Sequence, residues 1–206
     1  MKIFFYLFIS CFCTQVFSAD IQSISIKSPE HSHILTETNS KNSTSNTKPL
    51  VFISTTNPGC QQIHQEKFKA ALIQSINEIR KQPRQCGTQH YEATNKLTWN
   101  KSLEKSSYKH AKDLAKRQLL SHSSISGQVL KARLTQVGYQ GITGGENLAS
   151  GQKTVHQVLN DWMTLSPSHC SNIMTNNYSD YALACVTNTS TGRSYWVQQF
   201  GRENQE

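Results

Sequence analysis

Hydrophobic positions recur along this chain in two rhythms, and each predicts an element. Phe68, Leu72, Ile76 and Ile79 fall at three- and four-residue steps, so the spacing predicts a helix with one apolar face beginning near residue 61. Pro83 closes it. Asn100 can cap a second helix, whose inward positions Leu103, Ser107, Ala111, Leu114 and Ala115 form a face of mostly small residues. Ser126-Gly127 opens a third helix with Val129, Leu130, Leu134 and Val137 inside, stopped by Gly138. Thr154 caps a fourth that turns Val155, Val158, Leu159 and Trp162 inward, and Pro167 starts a short fifth. The rhythm then shortens. Residues 181–187 and 195–200 are apolar runs of strand length joined by a turn-like 188–192, which predicts an antiparallel hairpin. Helices must cover its faces, so the expected architecture is a layered α/β domain of roughly 145 residues.

Upstream the pattern is different. Residues 3–17 form an apolar stretch behind Lys2, ending in small residues that fit cleavage after Ser18 or Ala19. It is short for a membrane span, and no second apolar stretch follows it. Residues 1–19 therefore read as a signal peptide of a secreted or periplasmic protein that is not integral to the membrane. Residues 20–60 read as a Ser/Thr/Asn-rich disordered stalk, since 36–48 contains no apolar side chain to offset the entropy of ordering. Leu50-Val51-Phe52-Ile53 is an apolar run that can dock on the domain edge. The folded domain is expected over 61–206.

Cysteine usage fits export. Of six cysteines, Cys11 and Cys13 leave with the leader, and Cys60, Cys86, Cys170 and Cys185 remain. An even set in an exported chain reads as two disulfides, for which spacing alone allows three pairings. No C-x-x-C spacing suggests metal binding by cysteine. The formal charge is +8, or +7 once Lys2 is removed, and part of the excess lies between residues 101 and 117. That suits an anionic surface such as a cell wall or lipid head group, or simply a solvated helix face. No zinc-finger, RNP-type or P-loop pattern supports specific nucleic-acid binding. Nothing in the pattern predicts an oligomer, so a monomer is expected.

Three polar clusters could carry chemistry: residues 120–123, 144–151 and 162–174. They hold His122, Glu146 and His169. Glu146 follows Gly144-Gly145, a pair that predicts a tight turn. His110 and His156 lie on helices and read as surface residues, while Trp99, Trp162 and Trp196 read as core. Each cluster taken singly also reads as loop structure: a capping histidine, or a carboxylate accepting from its own loop.

In order and spacing the pieces are specific. Asn77-x-x-Arg80, Arg84-x-Cys86-Gly87, Leu97-x-Trp99-Asn100, Ala111-x-Asp113-Leu114, Ser121-His122-Ser123, Arg133 with Gly138-Tyr139, Gly145-Glu146-Asn147-Leu148-Ala149, Trp162, Ser166-Pro167-x-His169-Cys170-x-Asn172-Ile173-Met174 and Tyr195-Trp196-x-Gln198-x-Phe200-Gly201 resemble the CAP superfamily of cysteine-rich secretory, antigen 5 and pathogenesis-related proteins, and its bacterial SCP-type branch most. The resemblance spans about residues 65–202. It implies a three-layer α-β-α sandwich with a cleft lined by two histidines and two acids. Carried over piece by piece, these are His122, Glu146, His169 and Asp180. The departures are Leu165 and Tyr195, where the eukaryotic branch carries an acid and a histidine, and Tyr181-Ala182, where the family usually carries a glycine after the acid. The bacterial pieces also imply pairing of Cys86 with Cys170, leaving Cys60 with Cys185.

Two imidazoles and two carboxylates in one cleft have the donor types of a zinc or other divalent metal site with an open position. A Glu and a His can also form a general base without metal. Against turnover, there is no G-x-S-x-G pattern and no cysteine left unpaired. The resemblance implies extracellular interaction proteins, so the balance favours a binding or envelope module for a lipid, sterol, other small apolar ligand, metal or cell-envelope component. A metal-dependent hydrolase or peptidase is the alternative. The residues 139–144 can wall a groove for an apolar ligand.

Overall fold

The computed structural model describes residues 56–203. The proposed signal peptide, the Leu50–Ile53 run and nearly all of the stalk lie outside the described residues. The elements in chain order are α1 (Glu66–Arg80), β1 (Arg84–Cys86), β2 (Gln89–Tyr91), β3 (Thr98–Trp99), α2 (Lys101–Arg117), α3 (Leu130–Gln136), β4 (Gly141–Ser150), α4 (Val155–Leu165), α5 (Pro167–Met174), β5 (Asp180–Thr187) and β6 (Ser194–Glu203). β1 and β2 form a small hairpin; the main sheet runs β3-β5-β6-β4. Only the short β3–β5 contact is parallel. β5 and β6 are the expected antiparallel hairpin, and β4 extends it on the far side of β6.

Strand alternation divides the core. Tyr181, Leu183 and Cys185 of β5, with Trp196 and Phe200 of β6, pack among α1, α4 and α5. Ala184 of β5 and Tyr195 and Val197 of β6 pack on Ala111, Leu114 and Ala115 of α2, and Ala182 packs with Leu103 and with Leu134 of α3. Helices on both faces explain why β5 reads as an unbroken apolar run. The small side chains of α2 let that helix sit close to the sheet. The result is the three-layer α-β-α sandwich.

Local signals place most helix ends. Asn100 accepts from the backbone N–H of Ser102 and Leu103 at 2.9 and 3.1 Å. Thr154 accepts from Gln157 N–H at 3.4 Å, and Pro167 occupies the first turn of α5. Both capping side chains thus satisfy donors that no helical carbonyl can reach. Gly138, just past α3, has φ +77°. α2 ends without glycine: Gln118 itself turns left-handed at φ 54°.

Four readings are corrected. α3 begins at Leu130 rather than at Ser126-Gly127, because Gly127 has φ +76° in a loop and Val129 is exposed. Gly144-Gly145 makes no turn but lies inside β4, opposite Gly201 and Phe200. The glycine at 145 answers to packing: a Cβ there would stand 2.5 Å from the Tyr178 hydroxyl. Residues 57–60 belong to the domain rather than the stalk. Pro58 is buried and its carbonyl accepts from Val155 N–H at 3.1 Å, while Cys60 is bonded to Cys185. Finally, Trp162 and Trp196 are core, but Trp99 is half-buried and donates from Nε1 to Glu104. Both disulfides, Cys60–Cys185 and Cys86–Cys170, pair as the resemblance implied.

Candidate functional site

Glu146 sits opposite Gln199 in the β4–β6 register, and both side chains share the sheet face beneath α2 and α3. Four elements meet at this carboxylate. His122, five residues past the end of α2, donates from Nδ1 to Oε1 at 2.9 Å. Arg133 of α3 donates from Nη2 to Oε2, and Gln199 donates from Nε2 to the same oxygen at 2.9 Å. His110 of α2 places Nε2 3.8 Å from Oε1. The carboxylate is 2% exposed while the His122 side chain is 64% exposed, so the cluster runs from core to surface.

Arg133 also orders the loop. Its Nη1 donates to the carbonyls of His122 and Gln128 at 2.6 and 3.0 Å. One buried guanidinium therefore holds both the backbone of His122 and the acid that His122 reaches. His110 adds a third tie, with Nε2 2.9 Å from the Ser121 carbonyl. A carbonyl only accepts, so Nε2 carries the proton there.

The electrostatics follow from these contacts. Burial alone would raise the Glu146 pKa, but the bond from His122, the charge of Arg133 and the bond from Gln199 hold it below the usual carboxylate value. The bond to Glu146 raises the His122 pKa against burial. His110, buried in the core, has its pKa lowered by burial despite the nearby carboxylate. Glu146 is thus a fixed anion, His122 is the imidazole that most readily carries a proton, and His110 is neutral.

The opposite face of β4 carries the second polar cluster. Asn147 donates to Gln198 Oε1 at 2.8 Å and to the His169 carbonyl at 3.1 Å. Asn172 of α5 donates to Asn147 Oδ1 and the Glu146 carbonyl, and Trp162 Nε1 donates to the Leu148 carbonyl at 3.1 Å. The carbonyls of Glu146 and Leu148 face the open edge of the sheet, so these side chains cap an edge strand that would otherwise invite pairing. The His169 ring is half-buried, edge-on to Trp162 at 6.3 Å. Burial lowers its pKa, and the charge of His122 lowers it further.

The structure brings His122 and Glu146 into contact and places His169 on the other face of β4, within electrostatic reach of His122 but bonded to neither. Asp180 does not join them. Its Oδ2 accepts from the Tyr139 hydroxyl at 2.7 Å and from Glu203 N–H at 3.1 Å. The four-residue metal set is therefore corrected: both oxygens of Glu146 are taken by Arg133, Gln199 and His122, and Asp180 is spent on Tyr139. Among the described residues no group of three or more His, Cys, Asp or Glu could hold a metal ion. The donors present do not fit zinc in the anticipated arrangement. His110 is the second correction. It is 1% exposed rather than a surface residue, because it continues the inward stripe Leu103, Ser107, His110, Leu114. That helical spacing was the available signal. For Gln199, the signal was its alternation with Tyr195 and Val197.

The model of the CAP, cysteine-rich secretory protein family, matches residues 73–200, which hold every residue of this cluster. The chain belongs to that family. Among curated proteins, an uncharacterized protein of Bacillus subtilis, YkwD, is 30% identical over 104 residues, covering 50% of this chain and 38% of that protein. This chain thus spans well under half of that relative's length. An outer surface protein from Borrelia burgdorferi superposes with a TM-score of 0.57 at 22% identity, over 68% of this chain and 95% of that one. An extracellular SCP-domain protein of Bacillus anthracis gives a TM-score of 0.57 at 20% identity, over 70% of this chain and 43% of that one. These neighbours share the fold.

Proposed function

We propose that this CAP domain is an exported binding module of the cell envelope or extracellular space, and that the face carrying His122 and Glu146 recognises a small ligand with a polar end and an apolar body. The observation that carries the reading is the saturation of Glu146, whose two oxygens accept from His122, Arg133 and Gln199. A carboxylate so engaged holds its charge and position at neutral pH. The apolar part of the site comes from Leu119, Leu120, Ile125 and Val129, all exposed and all in the segment that carries His122. Two disulfides support export, and the positive charge, +7 once Lys2 is removed, suits an anionic envelope. No helix of the described residues is long and apolar enough to cross a membrane. The test is titration of the full-length protein with the fluorescent fatty acid cis-parinaric acid, beside native mass spectrometry of protein purified without detergent. Saturable binding that is lost in Ile125→Ser and weakened in His122→Ala is expected. Binding indifferent to both changes would discard the reading.

A second reading rests on the His122–Glu146 pair itself. An imidazole whose Nδ1–H is oriented by a buried carboxylate leaves Nε2 as a base, the geometry of general-base hydrolysis. No serine or cysteine nucleophile joins it among the described residues: Ser121 Oγ accepts from Ser123 N–H, and the four described cysteines are bridged. The nucleophile would then be water. Ester or peptide turnover abolished by His122→Ala at an unchanged melting temperature would select this reading over binding.

A further inference from the structure

Lys101, Lys105, Lys109, Lys112 and Lys116 follow one another along α2 at steps of three and four residues. At about 3.6 residues per turn they fall within an arc of about 80°, in single file over about 22 Å of helix. All five are exposed, because the opposite stripe of Leu103, Ser107, Ala111 and Leu114 is buried against the sheet. None of the five is in an ion pair among the described residues. The two acids of the helix flank the file and are engaged elsewhere. Glu104 accepts from Lys69 at 2.9 Å and from Trp99 Nε1 at 2.8 Å, and Asp113 accepts from Arg117 at 2.7 Å and from Ile125 N–H at 3.2 Å.

The file works against the helix that carries it. Lys101 and Lys105, Lys105 and Lys109, and Lys112 and Lys116 are like charges four residues apart, and Lys109 and Lys112 are three apart. Such pairs destabilise a helix. Lys101 also puts a cation in the first turn, at the positive end of the helix dipole. A solvated helix face ordinarily interleaves acids with its lysines. Local rules broken together point to a functional surface, and an anion from outside the chain is what would offset the repulsion.

The form of the file selects among anions. A single small anion would engage two neighbouring lysines and leave the others unmatched. A bilayer is held by apolar side chains sunk beside the basic ones. Within this file only Tyr108 is apolar, and its ring meets His64 edge-on at 5.0 Å. For the same reason there is no free aromatic platform on which nucleobases could stack. The file holds no arginine, whose planar fork matches a carboxylate, and lysine meets phosphate as a point charge. We propose that the outward face of α2 is a docking surface for a linear polyol phosphate, a chain whose successive phosphodiesters lie along the five lysines. The proposal shares the exported setting with the reading above but none of its residues.

The test is calorimetric titration of the full-length protein with poly(glycerol phosphate) of graded chain length. Affinity should climb with length until a chain covers the file, and level off beyond it. With about 0.7 counterions released per contact, the value for a single nucleic-acid strand, five contacts should cost about a hundredfold in affinity between about 50 and 200 mM salt. Lys105→Gln with Lys109→Gln and Lys112→Gln should lower affinity more than about tenfold and reduce that salt dependence to less than about tenfold. The melting temperature should not fall, since like-charge contacts are removed. Arginine at the same three positions should keep the binding. The triple glutamine variant should take up cis-parinaric acid as the parent protein does, so the two sites fail separately. Polygalacturonate, oligothymidylate and vesicles of phosphatidylglycerol in phosphatidylcholine are the competing arms. The proposal is overturned if affinity does not grow with chain length, if polygalacturonate binds as tightly, if oligothymidylate binds more tightly, or if vesicles alone capture the protein. It is also overturned if the triple variant binds unchanged, or loses binding only together with a lower melting temperature.

Discussion

His122 donates from Nδ1 to Oε1 of Glu146 across 2.9 Å, joining a side chain that is 64% exposed to one that is 2% exposed. The bond gives the three histidines near the site different titrations. His122 should titrate above 6.5, because its protonated form keeps the bond to the carboxylate. His110 should titrate below 6.5, through burial, and so should His169, through burial and then the charge of His122. Imidazole NMR across pH 4–9, a span of about two units either side of a typical histidine, reads all three. Glu146→Gln should bring His122 down toward 6.5. An unmoved His122 would mean that the two side chains do not pair in solution.

Acid should weaken the domain through the same cluster. The Glu146 pKa is lower folded than unfolded, so its contribution is present above about 4.5, the ordinary carboxyl value, and is lost as pH falls through the folded value. His110 is buried neutral with its pKa lowered, so its contribution is present above 6.5 and is lost as pH falls below that value. Urea denaturation midpoints should therefore decline first as pH falls below about 6.5, and again below about 4.5. His110→Gln should flatten the upper part and Glu146→Gln the lower part.

The buried Arg133–Glu146 pair makes a larger claim on stability at neutral pH. Arg133→Met should cost about 3–5 kcal/mol, because it strands a buried carboxylate and frees the carbonyls of His122 and Gln128. Glu146→Gln strands the guanidinium instead. Changing both, to Met and Leu, should cost less than the sum of the single changes. Equal and additive losses would show that the pair is not coupled.

How much of this was legible depended on range along the chain. Asn100, Thr154, Pro167 and Gly138 act within one turn of themselves, and the helix ends fell where they pointed. The β5–β6 hairpin was legible because both faces are covered and its turn is local. β4 was not, since two glycines preceding Glu146 look like a turn until Tyr178 is seen to need the space at residue 145. The paired sites show the same divide. His122 and Glu146 were read from local sequence, whereas Gln199 and Arg133 acquire a role only once β6 and α3 are packed. His110 was on a visible helical stripe, but a histidine there reads as solvated until its carbonyl and carboxylate partners are known.

Gly145 gives a direct check on the corrected β4. An alanine Cβ would lie 2.5 Å from the Tyr178 hydroxyl and 2.9 Å from its Cζ. Tyr178 cannot swing away cheaply, because its ring stacks on Phe200 at 5.3 Å. Gly145→Ala should therefore cost about 1–3 kcal/mol, as overpacking does in other cores, with no change in disulfide content. A neutral effect on the denaturation midpoint would place the glycine in a turn after all.

Arg80 tests the tie between α1 and the helix that carries His169. It is fully buried, and it is held by carbonyls and a hydroxyl rather than by an acid. Nε donates to the Asn95 carbonyl at 2.8 Å, Nη1 to the carbonyls of Ile173 and Thr175 at 2.6 and 2.9 Å, and Nη2 to Thr94. Burial lowers its pKa to about 10, so it stays charged at neutral pH. The carbonyls at 173 and 175 lie at the C-terminal end of α5, where no helical N–H can reach them and where a cation is favourable. Lysine keeps the charge but offers a point rather than a fork. Arg80→Lys should therefore lose about 1–3 kcal/mol, and Arg80→Met about 2–5 kcal/mol, through carbonyls left unmatched. Hydrogen exchange should quicken in 167–175 before it quickens in β5 or β6. Uniform quickening across the sheet would mean that Arg80 supports the whole core rather than this one helix end.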